Sequence, residues 1–248
     1  MAVFGEYAEI YDVLYEDKDY ANESRKIDAF IREYTNNKKV LNLGCGTGRH
    51  DRELAKYGYK IHGIDFSSDM IQYAKKNIGT SELSYEVADI RNYITNEKYP
   101  VILSLFHVIS YQKTNEDLLN TFRCVSENLE KNNGIFIFDA WYGTGVLRDL
   151  PSIRVKKAKT KNYKVTRIAN PVMHITENLV DVNYEIIIES KNCTKHINEC
   201  HVMRYLFTPE IKMLLDTCGL KLVKCIDCNT FELPGLDTWT AYFIVKHK

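Results

Sequence analysis

The sequence predicts an α/β fold: a doubly wound, mostly parallel seven-stranded sheet, with an antiparallel β insert between the fifth strand and the last helix. Three observations carry this. Short apolar segments alternate with helical ones from Lys39 to Asp139, the pattern of a parallel sheet with right-handed crossovers. A glycine-rich turn, Gly44-Cys45-Gly46-Thr47-Gly48, joins the first strand to a helix. From Pro151 onward the helical period gives way to strands of period two.

The elements follow in order. Residues 6–34 read as helical, with apolar positions at Ile10, Val13 and Leu14, then Ile27, Phe30 and Ile31. The Asp17-Lys18-Asp19-Tyr20 stretch divides them into two helices. Residues 39–43 form a short apolar strand, and 49–57 a helix closed by Gly58. Residues 60–65 form a second strand, after which Ser67 caps a helix by accepting a free N–H of its first turn. Strands follow at 83–87, 100–105 and 134–139, the last two apolar throughout, as in a sheet buried on both faces. A helix at 114–128 separates them. The insert reads as strands at 153–168, 172–175, 179–189 and 195–207. Thr208-Pro209 then starts a helix that ends at Gly219. Strands at 220–226 and 240–245 close the chain, the last at an edge or antiparallel.

Composition narrows the function. The 33 basic and 33 acidic residues cancel to a net charge of +0, which argues against coating nucleic acid or an anionic membrane. No apolar run reaches the roughly 18 residues of a spanning helix. The acidic, tyrosine-rich N-terminus has no basic-then-apolar order, so the default place for the chain is the cytoplasm. Seven scattered cysteines without a secretory signal read as reduced thiols. The Cys225-Ile226-Asp227-Cys228 pair lacks a second ligand pair at matching spacing, so no metal is expected.

The glycine turn is the informative motif. Glycines let backbone N–H groups approach a ligand, and the helix behind them offers its positive end. The Gly44-x-Gly46-x-Gly48 spacing differs from the dinucleotide fingerprint, whose third glycine falls one residue later. Asp65 ends the second strand, where a carboxylate can hold both ribose hydroxyls, and Asp89-Ile90 ends the third, where they can meet an adenine.

In this order and spacing, Val40-Leu41-Asn42-Leu43-Gly44-Cys45-Gly46-Thr47-Gly48, Gly63-Ile64-Asp65-Phe66-Ser67-Ser68-Asp69-Met70 and Ala88-Asp89-Ile90-Arg91 resemble three motifs of the class I S-adenosylmethionine-dependent methyltransferases. The ends of the chain resemble the N,N-dimethyltransferases that act on nucleotide-linked amino sugars in deoxysugar pathways. Tyr7-Ala8-Glu9-Ile10-Tyr11-Asp12 with Lys18-Asp19-Tyr20, the Trp141-Tyr142 pair, and His201-Val202-Met203-Arg204-Tyr205-Leu206-Phe207-Thr208 carry that resemblance. The run Leu105 to Tyr111, which ends in tyrosine, departs from it.

The resemblance implies a Rossmann-like methyltransferase with S-adenosyl-L-methionine as cofactor and S-adenosyl-L-homocysteine as product. It places the cofactor against Tyr11, Tyr20, Gly44, Gly46, Gly48, His50, Asp65, Phe66, Ser67, Met70, Asp89, Ile90 and Leu105. The acceptor is expected against Phe106, Tyr111, Trp141, Tyr142 and Arg204, with Tyr111, His201 and His107 as the groups able to take a proton or a hydrogen bond. The expected division is one domain: N-terminal helices over the cofactor (1–36), a cofactor core (37–150), a substrate-side insert (151–207) and a closing segment (208–248).

A small-molecule amine is the expected acceptor, with an amino sugar on a nucleotide carrier as the specific form. Two alternatives stand beside it: a small-molecule O-methyltransferase, and an RNA methyltransferase using the basic run Arg154, Lys156, Lys157, Lys159, Lys161, Lys164 and Arg167. That run also reads as a solvated sheet edge. A dehydrogenase is disfavoured by the glycine spacing, and a silent binding module by the intact glycines and aspartates. No membrane partner is expected, and the chain is expected to be a monomer or homodimer.

Overall fold

The computed structural model describes residues 8–248, with side chains from Ile10 onward. Glu6 and Tyr7, part of the sequence reading, lie outside the described residues.

Two N-terminal helices, α1 (Ala8–Leu14) and α2 (Tyr20–Arg32), are separated at Asp17 to Asp19. The Asp19 carboxylate caps α2 by accepting the Asn22 N–H at 2.9 Å. The core then alternates: β1 (Lys39–Leu43), α3 (Arg49–Ala55), β2 (Lys60–Asp65), α4 (Ser68–Lys76), β3 (Leu83–Val87), β4 (Val101–Ser104), α5 (Asn115–Asn128) and β5 (Ile135–Tyr142). Ser67 Oγ accepts the Met70 N–H at 3.3 Å and Thr114 Oγ1 the Asp117 N–H at 3.0 Å, so α4 and α5 begin at side-chain caps.

A short helix absent from the sequence reading, α6 (Gly143–Arg148), leads into the insert. It is only six residues long and its glycines carry no helical signal. They are required by packing: a Cβ on Gly143 would overlap the Phe207 ring, and one on Gly145 the Thr238 backbone. The insert comprises β6 (Arg154–Lys159), β7 (Tyr163–His174), β8 (Leu179–Ser190) and β9 (Thr194–Leu206), all antiparallel. The stretch read as one strand over 153–168 is therefore a hairpin, turning where Thr160 Oγ1 accepts the N–H groups of Asn162 and Tyr163. Residues 172–174 continue β7 rather than forming their own strand.

The chain closes with α7 (Thr208–Thr217), β10 (Leu220–Asp227) and β11 (Thr240–His247). Phe207, not Thr208, is the N-cap residue of α7, because the Glu210 carboxylate reaches back to accept the Phe207 N–H at 3.3 Å.

The core sheet runs β3-β2-β1-β4-β5-β11-β10, parallel through β5, with β11 antiparallel between β5 and β10. Its two faces bury separate apolar clusters, one around Leu41, Phe122, Phe136 and Phe138, the other around Val40, Tyr59, Leu103 and Ile137. Where β4 stops at Ser104, β9 comes to lie beside the end of β5, pairing Trp141 with Tyr205 and Tyr142 with Leu206. This junction brings the insert to the carboxyl ends of the parallel strands, where such sheets bind ligands. Among the described residues, no helix is long and apolar enough to cross a membrane.

Candidate active site

The glycine turn is pinned from below. The N–H groups of Gly44 and Cys45 both donate to the Ile64 carbonyl, at 2.8 and 2.9 Å. Gly44, Gly46 and Gly48 all have positive φ (77°, 56° and 74°), the region where side chains cost most. A Cβ on Gly44 would overlap Val108, and one on Gly48 the Tyr85 ring. A Cβ on Gly46 would meet nothing within 4 Å. Gly46 lines a cavity of about 610 Å³ that opens along the strand ends.

Asp65 forms part of the cavity wall beside the turn. Its Oδ2 accepts the Gly46 N–H at 2.9 Å and its Oδ1 the Ser67 N–H at 2.8 Å. Burial pushes this carboxyl above its ordinary range, against the pull of those two N–H groups. Two further donors, such as the hydroxyls of a ribose, would favour its charged form. Cys45, between the glycines, is a small turn residue whose thiol burial raises well above its ordinary value, which makes it a poor nucleophile.

Beyond the ends of β2 and β3 the cavity is lined by Asp89, buried Ile90 and Phe66. Phe66 is a large aromatic side chain left 69% exposed at the rim. Asp89 is held by the Arg91 guanidinium at 2.6 Å, which lowers its pKa, and Arg91 also meets Asp117 at 2.8 Å.

The N-terminal helices are clamped over the turn. Thr47 Oγ1 donates to Asp12 at 2.7 Å, Arg49 lies 3.4 Å from the same carboxylate, and His50 Nε2 lies 2.8 Å from Glu23. Burial works against the Glu23 carboxylate, yet the His50 hydrogen bond and the His50 and Lys18 charges bring it down to about 2. The clamp sets Tyr11 and Tyr20 into the cavity wall, with the Tyr20 ring 4.8 Å from that of His50.

After β4 the backbone is strained. Phe106 and His107 are consecutive non-glycine residues in the left-handed region, at φ 67° and 66°, a conformation that costs roughly 1–2 kcal/mol at each. Asp139 holds the bend: Oδ1 accepts the His107 N–H at 3.1 Å, and Oδ2 lies 2.7 Å from the His107 ring. The bend sends Leu105, Phe106 and His107 into the cavity wall.

The far end of the cavity from the glycine turn is built in part by the insert. Tyr111, Trp141 and His201 line it, and the Tyr111 hydroxyl meets His201 Nδ1 at 2.8 Å. Tyr142 and Arg204 lie outside the cavity. The Tyr142 hydroxyl is bonded to Thr208 Oγ1 at 2.9 Å, and the Arg204 guanidinium is buried against Asn115 and Glu210, so both hold α7 to the body. Gly48 also lies behind the cavity wall, as the N-cap of α3. Every other residue expected at the site lines the cavity.

Several residues there escaped the sequence reading. Tyr15 packs tilted against Tyr11 and edge-on to Phe106, with ring centroids at 4.7 and 5.2 Å; it falls one helical turn after Tyr11, a spacing that placed it on the same face. Tyr184 sits on a strand whose pairing register no local pattern announces, and Glu199, paired with it on β9, lies behind the cavity lining against His201. Arg167, read only as part of a basic run, reaches the cavity while Lys156 pairs with Asp17 at 2.6 Å and the other cations stay solvent-exposed or half-buried on the hairpin. Among the described residues, no cluster of three or more His, Cys, Asp and Glu side chains is placed to hold a metal ion.

Comparison with known proteins places the fold. Residues 40–132 match the family described as methyltransferase domain. The chain is 24% identical over 220 residues to the dTDP-3-amino-3,4,6-trideoxy-alpha-D-glucopyranose N,N-dimethyltransferase of Streptomyces venezuelae, covering 88% of this chain and 91% of that one. Among solved structures, an S-adenosylmethionine-dependent methyltransferase from Clostridium acetobutylicum superposes with a TM-score of 0.82 at 23% identity, over 98% of both chains. DesVI of Streptomyces venezuelae superposes with a TM-score of 0.81 at 21% identity, over 98% of both.

Proposed function

We propose that this chain, an S-adenosylmethionine-dependent methyltransferase, methylates the amine of a small molecule, and specifically an amino sugar on an anionic nucleotide carrier. The observation that carries this reading is the shape of the cavity. It runs without interruption from the glycine turn to an acceptor end lined by Tyr111, Trp141 and His201, with the Arg167 and Lys113 cations at the same end.

The bound S-adenosylmethionine supplies a methyl carbon already activated by its sulfonium. The protein's task is therefore alignment and exclusion of water. In this reading Gly44 and Gly46 pass the methionine part, Asp65 takes the ribose hydroxyls, and Asp89, Ile90 and Phe66 take the adenine. His50, Ser67, Met70 and Leu105 complete the wall, and Tyr11 and Tyr20 close it from the N-terminal helices. Trp141 and Phe106 pack the sugar, Tyr111 or His201 accepts a proton or hydrogen bond from the amine, and Arg167 and Lys113 meet phosphate. His107 is assigned to holding the bend, because Asp139 already engages it on backbone and ring.

The division of labour is one domain in which residues 1–36 cover the cofactor, 37–150 bind it, 151–207 select the acceptor and 208–248 close the sheet. The relative from Streptomyces venezuelae, named for a dTDP-linked amino sugar, supports the acceptor class. The exposed lysines of the β6–β7 hairpin point away from RNA as the acceptor, since Arg167 alone of that run reaches the cavity.

A methyl-transfer screen tests this. dTDP-amino sugars, simple amines, catechols and RNA are each offered with S-adenosylmethionine, and S-adenosylhomocysteine release is measured. Turnover confined to amino-sugar nucleotides is expected; turnover on hydroxyl acceptors or RNA alone would sink the reading.

A further inference from the structure

We propose that Glu199 is a positioning residue, which holds His201 in the one tautomer that lets Tyr111 pass the acceptor's surplus proton away from the amine. This rests on the amine-methylation reading above and adds to it a proton route and the residue that sets its direction.

The three side chains form a chain of hydrogen bonds. Glu199 Oε2 lies 2.9 Å from His201 Nε2, and His201 Nδ1 lies 2.8 Å from the Tyr111 hydroxyl. Glu199 and His201 are two residues apart on β9 and so project to the same face. Tyr111 comes from the loop beyond β4, 90 residues earlier, and reaches them only because β9 replaces β4 beside β5.

Burial gives the arrangement its meaning. The Glu199 and His201 side chains are 9% and 4% exposed. A carboxylate in so dry a place needs a partner that outweighs its lost hydration. The Tyr184 ring, paired in register with Glu199, stands edge-on to the His201 ring at 4.8 Å and keeps it from turning.

The directions of the hydrogen bonds then follow. An ionised carboxylate can only accept, so His201 Nε2 carries the hydrogen. In the neutral imidazole Nδ1 is then a bare acceptor, and the Tyr111 O–H must donate to it. The Tyr111 oxygen, on the cavity wall, has two lone pairs and can accept from an acceptor N–H.

The step balances. A bond forms between the acceptor nitrogen and the methyl carbon, and the carbon–sulfur bond breaks with its electron pair going to sulfur. The new secondary ammonium carries one proton too many for a second transfer. That proton passes to the Tyr111 oxygen as the Tyr111 hydrogen passes to His201 Nδ1. The resulting imidazolium faces the Glu199 carboxylate, whose charge stabilises it; once the methylated amine has moved off Tyr111, Nδ1 returns a proton to the Tyr111 oxygen as the Tyr111 hydrogen passes to water in the open cavity.

Two measurements test this, and they fail separately from the acceptor reading. The first needs no acceptor. The ¹⁵N-histidine spectrum of the S-adenosylhomocysteine complex, assigned with His201→Asn, should show His201 as the Nε2–H tautomer. Glu199→Leu should lose that single tautomer while S-adenosylhomocysteine still binds, which also shows that it folds. An Nδ1–H tautomer in the wild type, or an unchanged one in the Leu variant, overturns the proposal. The second uses the dTDP-amino sugar methylated in the screen. Glu199→Gln should lower kcat about 100-fold with KM nearly unchanged, and Glu199→Asp, which keeps the charge, should recover most of that loss. Wild-type kcat in Glu199→Gln overturns the proposal. If no dTDP-amino sugar is methylated, the acceptor reading falls, and the tautomer still decides the role of Glu199.

Discussion

Gly46 and Asp65 are joined by a 2.9 Å hydrogen bond from the Gly46 N–H to Asp65 Oδ2, across 19 residues of sequence. One carboxylate therefore orders the glycine turn and presents its remaining lone pairs to the cavity. Asp65→Ala should weaken S-adenosylhomocysteine binding by an order of magnitude or more, because a charged acceptor is lost together with the order of the turn. Asp65→Asn should fall between, since its amide oxygen can still accept. Calorimetric titration decides, and undiminished binding by Asp65→Ala would remove the ribose from this position.

The three glycines of the turn should respond differently. Gly48→Ala places a methyl against the Tyr85 ring at a positive φ, and should cost about 2 kcal/mol of stability. Gly46→Ala meets no neighbouring atom within 4 Å. Its fold should suffer less, by about 1 kcal/mol for the positive φ, while its methyl enters the cavity and impairs cofactor binding. Urea titration beside calorimetry separates the two; equal binding losses at equal stability losses would contradict the assignment.

Asp51 should make stability depend on pH in an unusual direction. It is fully buried, and burial pushes its carboxyl up to about 6, against a hydrogen bond from Asn42 Nδ2 at 2.6 Å. The native state therefore holds this proton more tightly than the unfolded chain, whose carboxyl titrates near 3.8. Stability from this group is full below that value and is lost as pH rises toward 6. Glu23, held down at about 2, contributes in the opposite sense, and its share is lost only as pH falls below its ordinary 4.5. Asp51→Asn should thus gain on the order of 1–3 kcal/mol at pH 7 and almost nothing at pH 4. The same gain at both values would exclude Asp51 as the source.

The glycine-turn side of the cavity was legible in the sequence because its signals are local. Gly44, Gly46, Asp65 and Ile90 each sit at the end of a strand, and strand ends in a parallel sheet converge by topology alone. The insert side of the cavity was only partly legible. Trp141 and His201 carry family resemblance and Tyr111 stands where the chain departs from it, but Tyr184, Glu199 and Arg167 enter through the register of β7, β8 and β9, which is fixed by long-range pairing. Tyr142 and Arg204 show the converse. Both belong to the matching motifs, yet neighbours on α7 and the loop before α5 absorb their polar ends.

Arg167 gives the sharpest test of acceptor charge. Its guanidinium lies over the rings of Tyr15 and Tyr184, at 5.2 and 4.8 Å, and donates to the Tyr15 hydroxyl at 2.9 Å. It thus ties α1 to the insert as well as facing the cavity, and truncation alone cannot separate the two roles. Arg167→Gln and Arg167→Lys together can. The Gln variant keeps a hydrogen-bond donor for Tyr15 and loses the charge; the Lys variant keeps the charge and loses the planar fork. For a phosphate-bearing acceptor, Gln should raise KM about tenfold, Lys less, and added salt should narrow the difference. For an uncharged amine neither change should matter. If both variants raise KM equally for charged and uncharged acceptors, Arg167 serves the fold alone and the anionic carrier loses its anchor on β7.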